Sequence, residues 1–398
     1  MRLAPITVLT ALLHALIALR VLPALADFTP WWPGLALLLV VSALTMPLPF
    51  LSRRGAAAAS RAPLPDTLKW IGLISMGWFS SMFVLTLLRE VGLLVTWIVT
   101  AIAGLAIDWS RWQQWSAAAV PLAATATSLI GFVNARRTAA VKRVRVPIAR
   151  LPAALEGFTI AQLSDIHVSP TIRRGYIQRI VDAVNLLGAD MVAITGDIVD
   201  GTVPELRDHV APLGGLKARH GTFVVTGNHE YYAGAHAWID ELRRIGLRVL
   251  LNEHVVLHLR DARGAQTDEE AFDSAIVVAG VTDFSAGHFD ATHASDPQGA
   301  LRGAPTGVHM RLLLAHQPRS APAAAAAGYQ LQLSGHTHGG QFLPWGWFVR
   351  FQQPFTAGLN KFGAMWVYVS RGTGYWGPPK RFGAPSEITL LTLVSDTR

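Results

Sequence analysis

Cysteine is absent from the 398 residues, which removes disulfides, thiolate nucleophiles and cysteine-based zinc sites together. Any metal must then be held by His, Asp, Asn or Glu. Charge is scarce too: Asp, Glu, Lys and Arg make up 15% of the chain against 51% hydrophobic residues. That balance is too apolar for one ordinary soluble domain and points to a part that lives in lipid. Acidic residues are rarest at the start. Residues 1–150 carry 14 Lys/Arg against only Asp27, Asp66, Glu90 and Asp108, whereas the remainder carries 20 against 22, so the formal net charge of +8 arises in the first part alone. A nucleic-acid enzyme concentrates basic residues on its working domain, because phosphate contacts supply much of the affinity. No nucleic-acid partner is therefore expected. Histidine is distributed the opposite way, with His14 alone in the first 150 residues and the other thirteen of the 14 after them.

Apolar runs of about 20 residues are long enough to cross a bilayer, and they occur at roughly 4–26, 35–51, 68–88 and 117–134. Four spans are expected within a transmembrane region at 1–138, followed by a basic linker at 139–156 and a catalytic domain at 157–398. Pro30–Pro33 and Gly55–Pro65 read as connecting loops. The run Val91–Ile107 behind Arg89-Glu90 has three readings: a continuation of the third helix, a re-entrant segment or a fifth span. Four spans place Arg53, Arg54 and Arg61 on the same side as Arg136, Arg137, Lys142, Arg143 and Arg145. The positive-inside rule makes that side cytoplasmic, and five spans would split the clusters. A multi-pass protein of the inner (plasma) membrane with a cytoplasmic catalytic domain is expected. Ala24-Leu25-Ala26 has the small residues of a signal-peptidase site, but Arg20 and the later spans favour retention. His14, Arg20 and the Arg89/Glu90 pair are the ionisable residues in the apolar runs. Snorkelling ends and a local ion pair account for them better than a transport path does.

After the basic stretch, apolar segments alternate with helical patterns at roughly 30-residue spacing, the signature of an α/β sheet layer. Each apolar segment runs straight into a polar cluster, and ligands in such sheets gather at the carboxyl ends of strands. The clusters are Asp165-Ile166-His167, Gly196-Asp197, Gly227-Asn228-His229-Glu230, Ala315-His316-Gln317 and Gly335-His336-Thr337-His338. An extended chain would aim Asp165 and His167 to one side, and likewise His336 and His338. Imidazole and carboxylate together suit Mn, Fe or Zn, and one shared carboxylate offsets the repulsion between two neighbouring cations. Glycine before Asp197, Asn228 and His336 permits close backbone approach.

These five blocks, DIH, GD, GNHE, AH and GHTH in that order, resemble the calcineurin-like metallophosphoesterase superfamily, with the match running from about Phe158 to Thr392 and no motif residue replaced. GHTHGGQ, Lys361, VYVSRGTG and PPKRFGAPSEITLLTL resemble its bacterial membrane-associated phosphodiesterase branch. The resemblance implies a four-layer α/β (α+β) sandwich, two mixed β-sheets packed face to face with helices outside. It implies two divalent cations, Mn²⁺ or Fe first and Zn²⁺ as the alternative. One would be held by Asp165, His167, Asp197 and His338, the other by Asp197, Asn228, His316 and His336. Asp197 would bridge them, water activated between the cations would attack phosphorus, and His229 would protonate the leaving group or stabilise phosphoryl oxygens.

Several residues keep two readings. Asp200 and Glu230 either orient a ligand or cap a helix. Asp283 and Arg371 are candidates to line the cleft, whereas His209, His220, His254 and His258 read as surface or satisfied core. Trp345, Trp347, Phe348, Phe351 and Phe355 are either core packing or an aromatic patch for the membrane interface. The charged segment Thr267–Asp273 and the alanine-rich Pro322–Gly328 offer no chemistry. The expected activity is hydrolysis of a phosphodiester or phosphomonoester, with a phospholipid or lipid-linked nucleotide sugar favoured. A protein or nucleotide phosphatase, or a sensor or transport component with an accessory hydrolase domain, are the alternatives. Oligomeric state is not legible.

Overall fold

A computed structural model describes residues 3–51, 64–259 and 274–396. Arg53, Arg54, Arg61, most of the Gly55–Pro65 loop and the Thr267–Asp273 segment lie outside the described residues. The chain divides into two units: Met1–Arg136 with Gly377–Phe382, and Arg137–Trp376 with Gly383–Arg398.

The first unit is helical: α1 (Leu3–Ala26), α2 (Trp32–Thr45), α3 (Leu48–Leu51), α4 (Asp66–Ala103) and α5 (Trp109–Arg136). Among the described residues, three stretches, Pro5–Ala26, α4 and α5, are long and apolar enough to cross a membrane. The apolar run at 35–51, expected as a span, is instead broken. Pro47 and Pro49 each lack a backbone N–H, so α2 stops at Thr45 and α3 restarts with Pro49 in its first turn. With 14 residues, α2 is about 21 Å long, short of a hydrocarbon core of about 30 Å. Val91–Ala103 continues the third helix, which ends where Gly104 takes the left-handed conformation (φ +65°).

Helices α4 and α5 run antiparallel. Trp70 meets Phe132, Trp78 Nε1 donates to Thr125 Oγ1, and Arg89 Nε donates to Ser116 Oγ. Arg89 also donates to Glu90 at 2.6 Å and to the carbonyls of Arg20 and Gln113. His14 bonds the Thr10 carbonyl and Ser42 Oγ and stacks on Phe79. These groups are satisfied where they sit, as buried polar groups in apolar surroundings must be. The segment Gly377–Phe382 belongs to this unit through Lys380, whose Nζ donates to Gly77 O, Ser81 Oγ and Ser128 Oγ. Gly77 and Gly131 make room for it: a Cβ on Gly131 would meet Lys380 Cγ at 2.7 Å.

The second unit holds two six-stranded sheets. One has the order β1-β12-β2-β3-β4-β5 and the other β10-β11-β9-β8-β7-β6. The strands are β1 (Ala140–Ile148), β2 (Thr159–Leu163), β3 (Met191–Thr195), β4 (Thr222–Val225), β5 (Arg248–Val249), β6 (Glu253–His258), β7 (Ala275–Gly280), β8 (Met310–Leu314), β9 (Leu331–Ser334), β10 (Gly358–Phe362), β11 (Met365–Val369) and β12 (Glu387–Ser395). Both sheets are mixed: β12 pairs antiparallel with β2, β6 with β7 and β10 with β11, while the central strands are parallel.

Ile160, Met191, Ala193, Phe223 and Val225 of one sheet pack with Ile276, Val278, Leu312, Leu314, Leu331 and Leu333 of the other. Among the covering helices, α6 (Arg174–Asn185) buries Ile177, Ile180, Val181 and Val184, α7 (Val203–Val210) buries Leu206 and Val210, and, after the short α8 (Asn228–Ala233), α9 (Ala235–Arg244) buries Trp238, Ile239 and Leu242. The i, i+3, i+4 spacing of α6 gives the single apolar stripe that such covering requires.

The stretch 139–156, expected as a basic linker, contributes β1, the edge strand paired in parallel with β12. Val146 and Ile148 enter the core, while Lys142, Arg143 and Arg145 keep some exposure. Charge on an edge strand blunts pairing with other chains.

Candidate metal centre

All five motif blocks leave the carboxyl ends of parallel strands: Asp165 and His167 after β2, Asp197 after β3, Asn228 after β4, His316 after β8, and His336 and His338 after β9. The backbone there is not extended. Asp165, His167, Asp197, His336 and His338 all have φ between 51° and 70°, so five of the seven expected ligands occupy the left-handed region. That costs a non-glycine residue roughly 1–2 kcal/mol each. Strain of this kind survives only where surrounding bonds over-determine it. The Asp165 carboxylate accepts from His336 N at 2.9 and 3.0 Å, and Asp197 Oδ1 accepts from His229 N at 2.9 Å. The glycines act as expected: a Cβ on Gly196 would lie 2.6 Å from Gly227 N and 2.8 Å from His316 Nδ1, and one on Gly335 would strike Ser164 and Asp165.

Two groups of ligand atoms converge, and a third, His167, Asp197 and His229, links them. Asp165, His167 and His338 form one; Asp197, His316 and His336 form the other. His167 Nε2 lies 2.9 Å from His338 Nε2, and His338 Nε2 lies 3.5 Å from Asp165 Oδ1. His316 Nε2 lies 3.1 Å from Asp197 Oδ2 and 3.2 Å from His336 Nδ1, and His167 Nε2 is 3.9 Å from Asp197 Oδ2.

Tautomers explain the convergence. His167 Nδ1 faces Asp200 Oδ1 at 3.1 Å and His316 Nδ1 faces the Thr195 carbonyl at 2.7 Å. Each acceptor keeps the proton on Nδ1 and leaves Nε2 as a lone pair aimed at the centre, the arrangement of metal-ligating histidines. Asn228 Oδ1 is buried with no hydrogen-bond partner, a cost avoided if that oxygen is a ligand. The donor set therefore fits two divalent cations.

The profile of the calcineurin-like phosphoesterase family matches residues 158–340. A Bos taurus protein named "Transmembrane protein with metallophosphoesterase domain" is 41% identical over 274 residues, 68% of this chain and 60% of the relative. Its Danio rerio namesake is 38% identical over 271 residues, again with 60% of the relative covered, so the chain spans about three-fifths of their length. The metallophosphoesterase YkuE of Bacillus subtilis is 31% identical over 254 residues, 62% of this chain and 82% of that protein. This chain belongs to the calcineurin-like metallophosphoesterase family.

Around the candidate ligands of this metallophosphoesterase, Asp200 and Glu230 do separate work. Asp200 Oδ1 bonds both His167 Nδ1 and His229 Nδ1, the latter at 2.6 Å. Burial acts to raise the Asp200 carboxyl, but the two imidazoles hold it well below the usual carboxylate range. Glu230 caps Gly227 N in front of α8 (Asn228–Ala233) and also accepts from the amides of Asp197, Ile198 and Val199. It therefore caps a helix and holds the Asp197 turn at once. Burial and the nearby Asp197 push Glu230 up to about 7. His229 is opposed by burial, yet Asp197 and Asp200 outweigh it and raise the ring to about 9. His336 is pushed down to about 3, chiefly by burial, which keeps it neutral and available as a ligand.

Replacing Asp200 with Asn is expected to lower metal affinity or kcat/KM by about 10–100-fold, the usual effect of losing a partner that orients a ligand. Metal titration with aryl phosphate turnover checks this, and an unchanged affinity and rate would remove Asp200 from the centre.

Asp283 is fully buried, where it accepts from Ser285 and from Gln317 Nε2. It braces the residue after His316 and does not line the cleft. Arg371 lies over Gly339, where a Cβ would meet its Cγ at 3.0 Å, one residue from His338. His209, His220, His254 and His258 are outside the ligand groups, with His254 Nδ1 bonded to the Ala300 carbonyl. Phe355 packs with the core on the outer face of the second sheet, whereas Trp345, Trp347, Phe348 and Phe351 are exposed. Sequence reasoning missed Trp376 and Tyr232, whose rings lie 5.9 and 5.3 Å from that of His229. Neither carries a motif signal.

Proposed function

We propose that this metallophosphoesterase hydrolyses a phosphodiester or phosphomonoester presented at a membrane surface, with a phospholipid or lipid-linked nucleotide sugar as the substrate class. The observation that carries the lipid part is the exposed set Trp345, Trp347, Phe348 and Phe351, with Leu343 beside it. It begins four residues beyond Gln341, whose side-chain Nε2 donates to Trp376 O and whose Oε1 accepts from Trp376 N. Contiguous exposed aromatics of this kind mark interaction surfaces, and Trp in particular settles at the level of lipid headgroups. A chain with helices apolar enough to cross a membrane raises the local concentration of its hydrolase domain near lipid-borne phosphate.

In the proposed centre, Asp165, His167, Asp197 and His338 would hold one cation, and Asp197, Asn228, His316 and His336 the other. Mn²⁺ or Fe is the proposed pair and Zn²⁺ the alternative, since carboxylate and imidazole suit all three. When bound, the cations would supply Lewis-acid polarisation of the phosphoryl group and a water of lowered pKa.

The chain's own residues do the rest. His229, held by Asp200 through Nδ1 and favoured in its protonated form by Asp197, presents Nε2 to the departing alcohol and donates the proton that alcohol needs. Arg371, beside His338, meets phosphoryl oxygens with its guanidinium. Asp165 and the glycine-lined turns keep the histidines in register.

For topology, the antiparallel pairing of α4 and α5 carries the argument. In the sequence, Arg53, Arg54 and Arg61 precede α4, Arg136 ends α5 and Arg137 follows it. A chain that enters α4 and leaves α5 on the same side would carry both basic clusters there, whether or not α2 crosses. The positive-inside rule makes that side cytoplasmic, so an inner-membrane, multi-pass protein with a cytoplasmic hydrolase is proposed. Protease accessibility in sealed vesicles of known orientation tests it.

The substrate class is tested with the purified full-length chain in Mn²⁺, against phospholipid vesicles, bis-aryl phosphate, aryl phosphate and a phosphopeptide. Trp347→Ser with Phe351→Ser is expected to lower vesicle hydrolysis about tenfold, near 1.4 kcal/mol of lost surface binding. Turnover of the soluble aryl esters should stay within about twofold, as expected for surface changes away from the reacting atoms. Equal losses on both substrates, or a preference for phosphopeptide, would transfer the assignment to a soluble substrate.

A further inference from the structure

Apart from the dinuclear centre, one further group of side chains brings metal-ligating atoms together among the described residues: His236, Asp290 and His293. His236 stands at the second position of α9, and its Nε2 lies 3.0 Å from Asp290 Oδ2. Asp290 begins the short turn Ala291–His293. Its other oxygen, Oδ1, accepts from Thr292 N at 2.9 Å and Thr292 Oγ1 at 2.6 Å. The carboxylate is thereby fixed with Oδ2 turned toward His236. His293 Nδ1 bonds the Tyr231 hydroxyl at 2.8 Å, and the two imidazole rings stand 4.8 Å apart. With Nδ1 engaged by Tyr231, Nε2 remains as the ligand atom of His293, the same orientation by a partner at the opposite nitrogen seen in metal-bound histidines. The turn is anchored from behind: Thr282 Oγ1 donates to the His293 carbonyl at 2.7 Å and Asn252 Nδ2 to the Ala294 carbonyl at 2.8 Å.

We infer that His236, Asp290 and His293 form a third, mononuclear transition-metal site, open to solvent on one side and suited to Zn²⁺, Co²⁺ or Ni²⁺. Two imidazoles and one carboxylate with water completing the shell is a donor set those ions take, whereas Ca²⁺ and Mg²⁺ prefer oxygen alone. A cation there ties α9 to the turn after β7. Tyr231, on α8, bonds this site's His293, and Phe289 of the same turn packs on Tyr231 and Tyr232 at 5.8 and 5.6 Å. Tyr232 in turn packs on His229. The third ion therefore steadies the aromatic wall beside His229 without touching substrate.

The inference does not depend on the proposed reaction, and its test reads stoichiometry. The full-length chain, stripped and re-equilibrated with Zn²⁺, is analysed for bound metal per chain beside His236→Gln, Asp290→Asn and the His236→Gln/His293→Gln pair. The wild type should saturate one equivalent above the paired variant, whatever the filling of the dinuclear centre. His236→Gln alone should weaken that equivalent at least tenfold; its side chain is 71% exposed, so the substitution leaves the fold intact. Co²⁺ in place of Zn²⁺ should give a visible absorption component that these variants lose. Equal stoichiometry in the wild type and the paired variant, or a third equivalent that survives every substitution, would overturn the assignment.

Discussion

Asparagine in place of Asp197 is expected to lower kcat/KM for an aryl phosphate in Mn²⁺ by roughly 10³-fold, about 4 kcal/mol of transition-state stabilisation, and to reduce the bound metal per chain. Asp197 lies between the two groups of candidate ligands, with Oδ2 3.1 Å from His316 Nε2 and 3.9 Å from His167 Nε2. The substitution preserves shape, and Oδ1 can still accept from His229 N, so the loss reads the charge. Burial acts to raise the Asp197 carboxyl, but His316 and His229 hold it well below the ordinary value. The sign follows: the stabilisation is present above the unfolded carboxylate value and is lost as pH falls through the lower folded one. Acid and Asp197→Asn should therefore release metal alike. A variant with wild-type turnover and two bound cations would remove Asp197 from its bridging role.

The candidate site was legible because its residues are local in sequence. A strand end followed by Asp-x-His, Gly-Asp, Gly-Asn-His or His-x-His names a ligand block without knowledge of tertiary contacts, and parallel strands then bring the blocks to one edge. The backbone state of those ligands was not legible. Period-2 alternation of an extended chain does not describe Asp165 and His167, because the left-handed φ of both goes with hydrogen bonds to His336 and to the Asp197 turn, supplied from 30 to 170 residues away.

Long-range pairing hid other features. β1 reads as a basic linker because its partner, β12, lies at the other end of the chain. Lys380 reads as an ordinary basic residue until Ser81 and Ser128 are found around its ammonium. His236 and the Asp290/His293 pair are separated by more than fifty residues with no spacing rule to join them. In the helical unit, hydropathy located each apolar run, whereas the end of α2 was set by Pro47 and Pro49, which a window average ignores.

His229→Gln separates proton transfer from metal binding. Its Nε2 lies 3.9 Å from Asp197 Oδ2, and Nδ1 is held by Asp200. Gln keeps polarity without an ionisable proton, so the two cations should remain bound. A positioned general acid contributes about 10²–10⁴-fold, but only as far as the leaving oxygen needs protonation. Loss should therefore lie in that range for an alkyl phosphodiester such as a phospholipid, and be far smaller for an acidic aryl leaving group. The pH profile supplies the second sign. With the ring raised to about 9, the acid form is present at neutral pH and is lost as pH climbs through that value, giving an alkaline limb. Bound cations share the Asp197 charge and draw this limb below 9. Gln should abolish the limb on the alkyl ester while leaving the acid side in place. Equal losses on alkyl and aryl esters, with the limb intact, would instead assign His229 to stabilising phosphoryl oxygens.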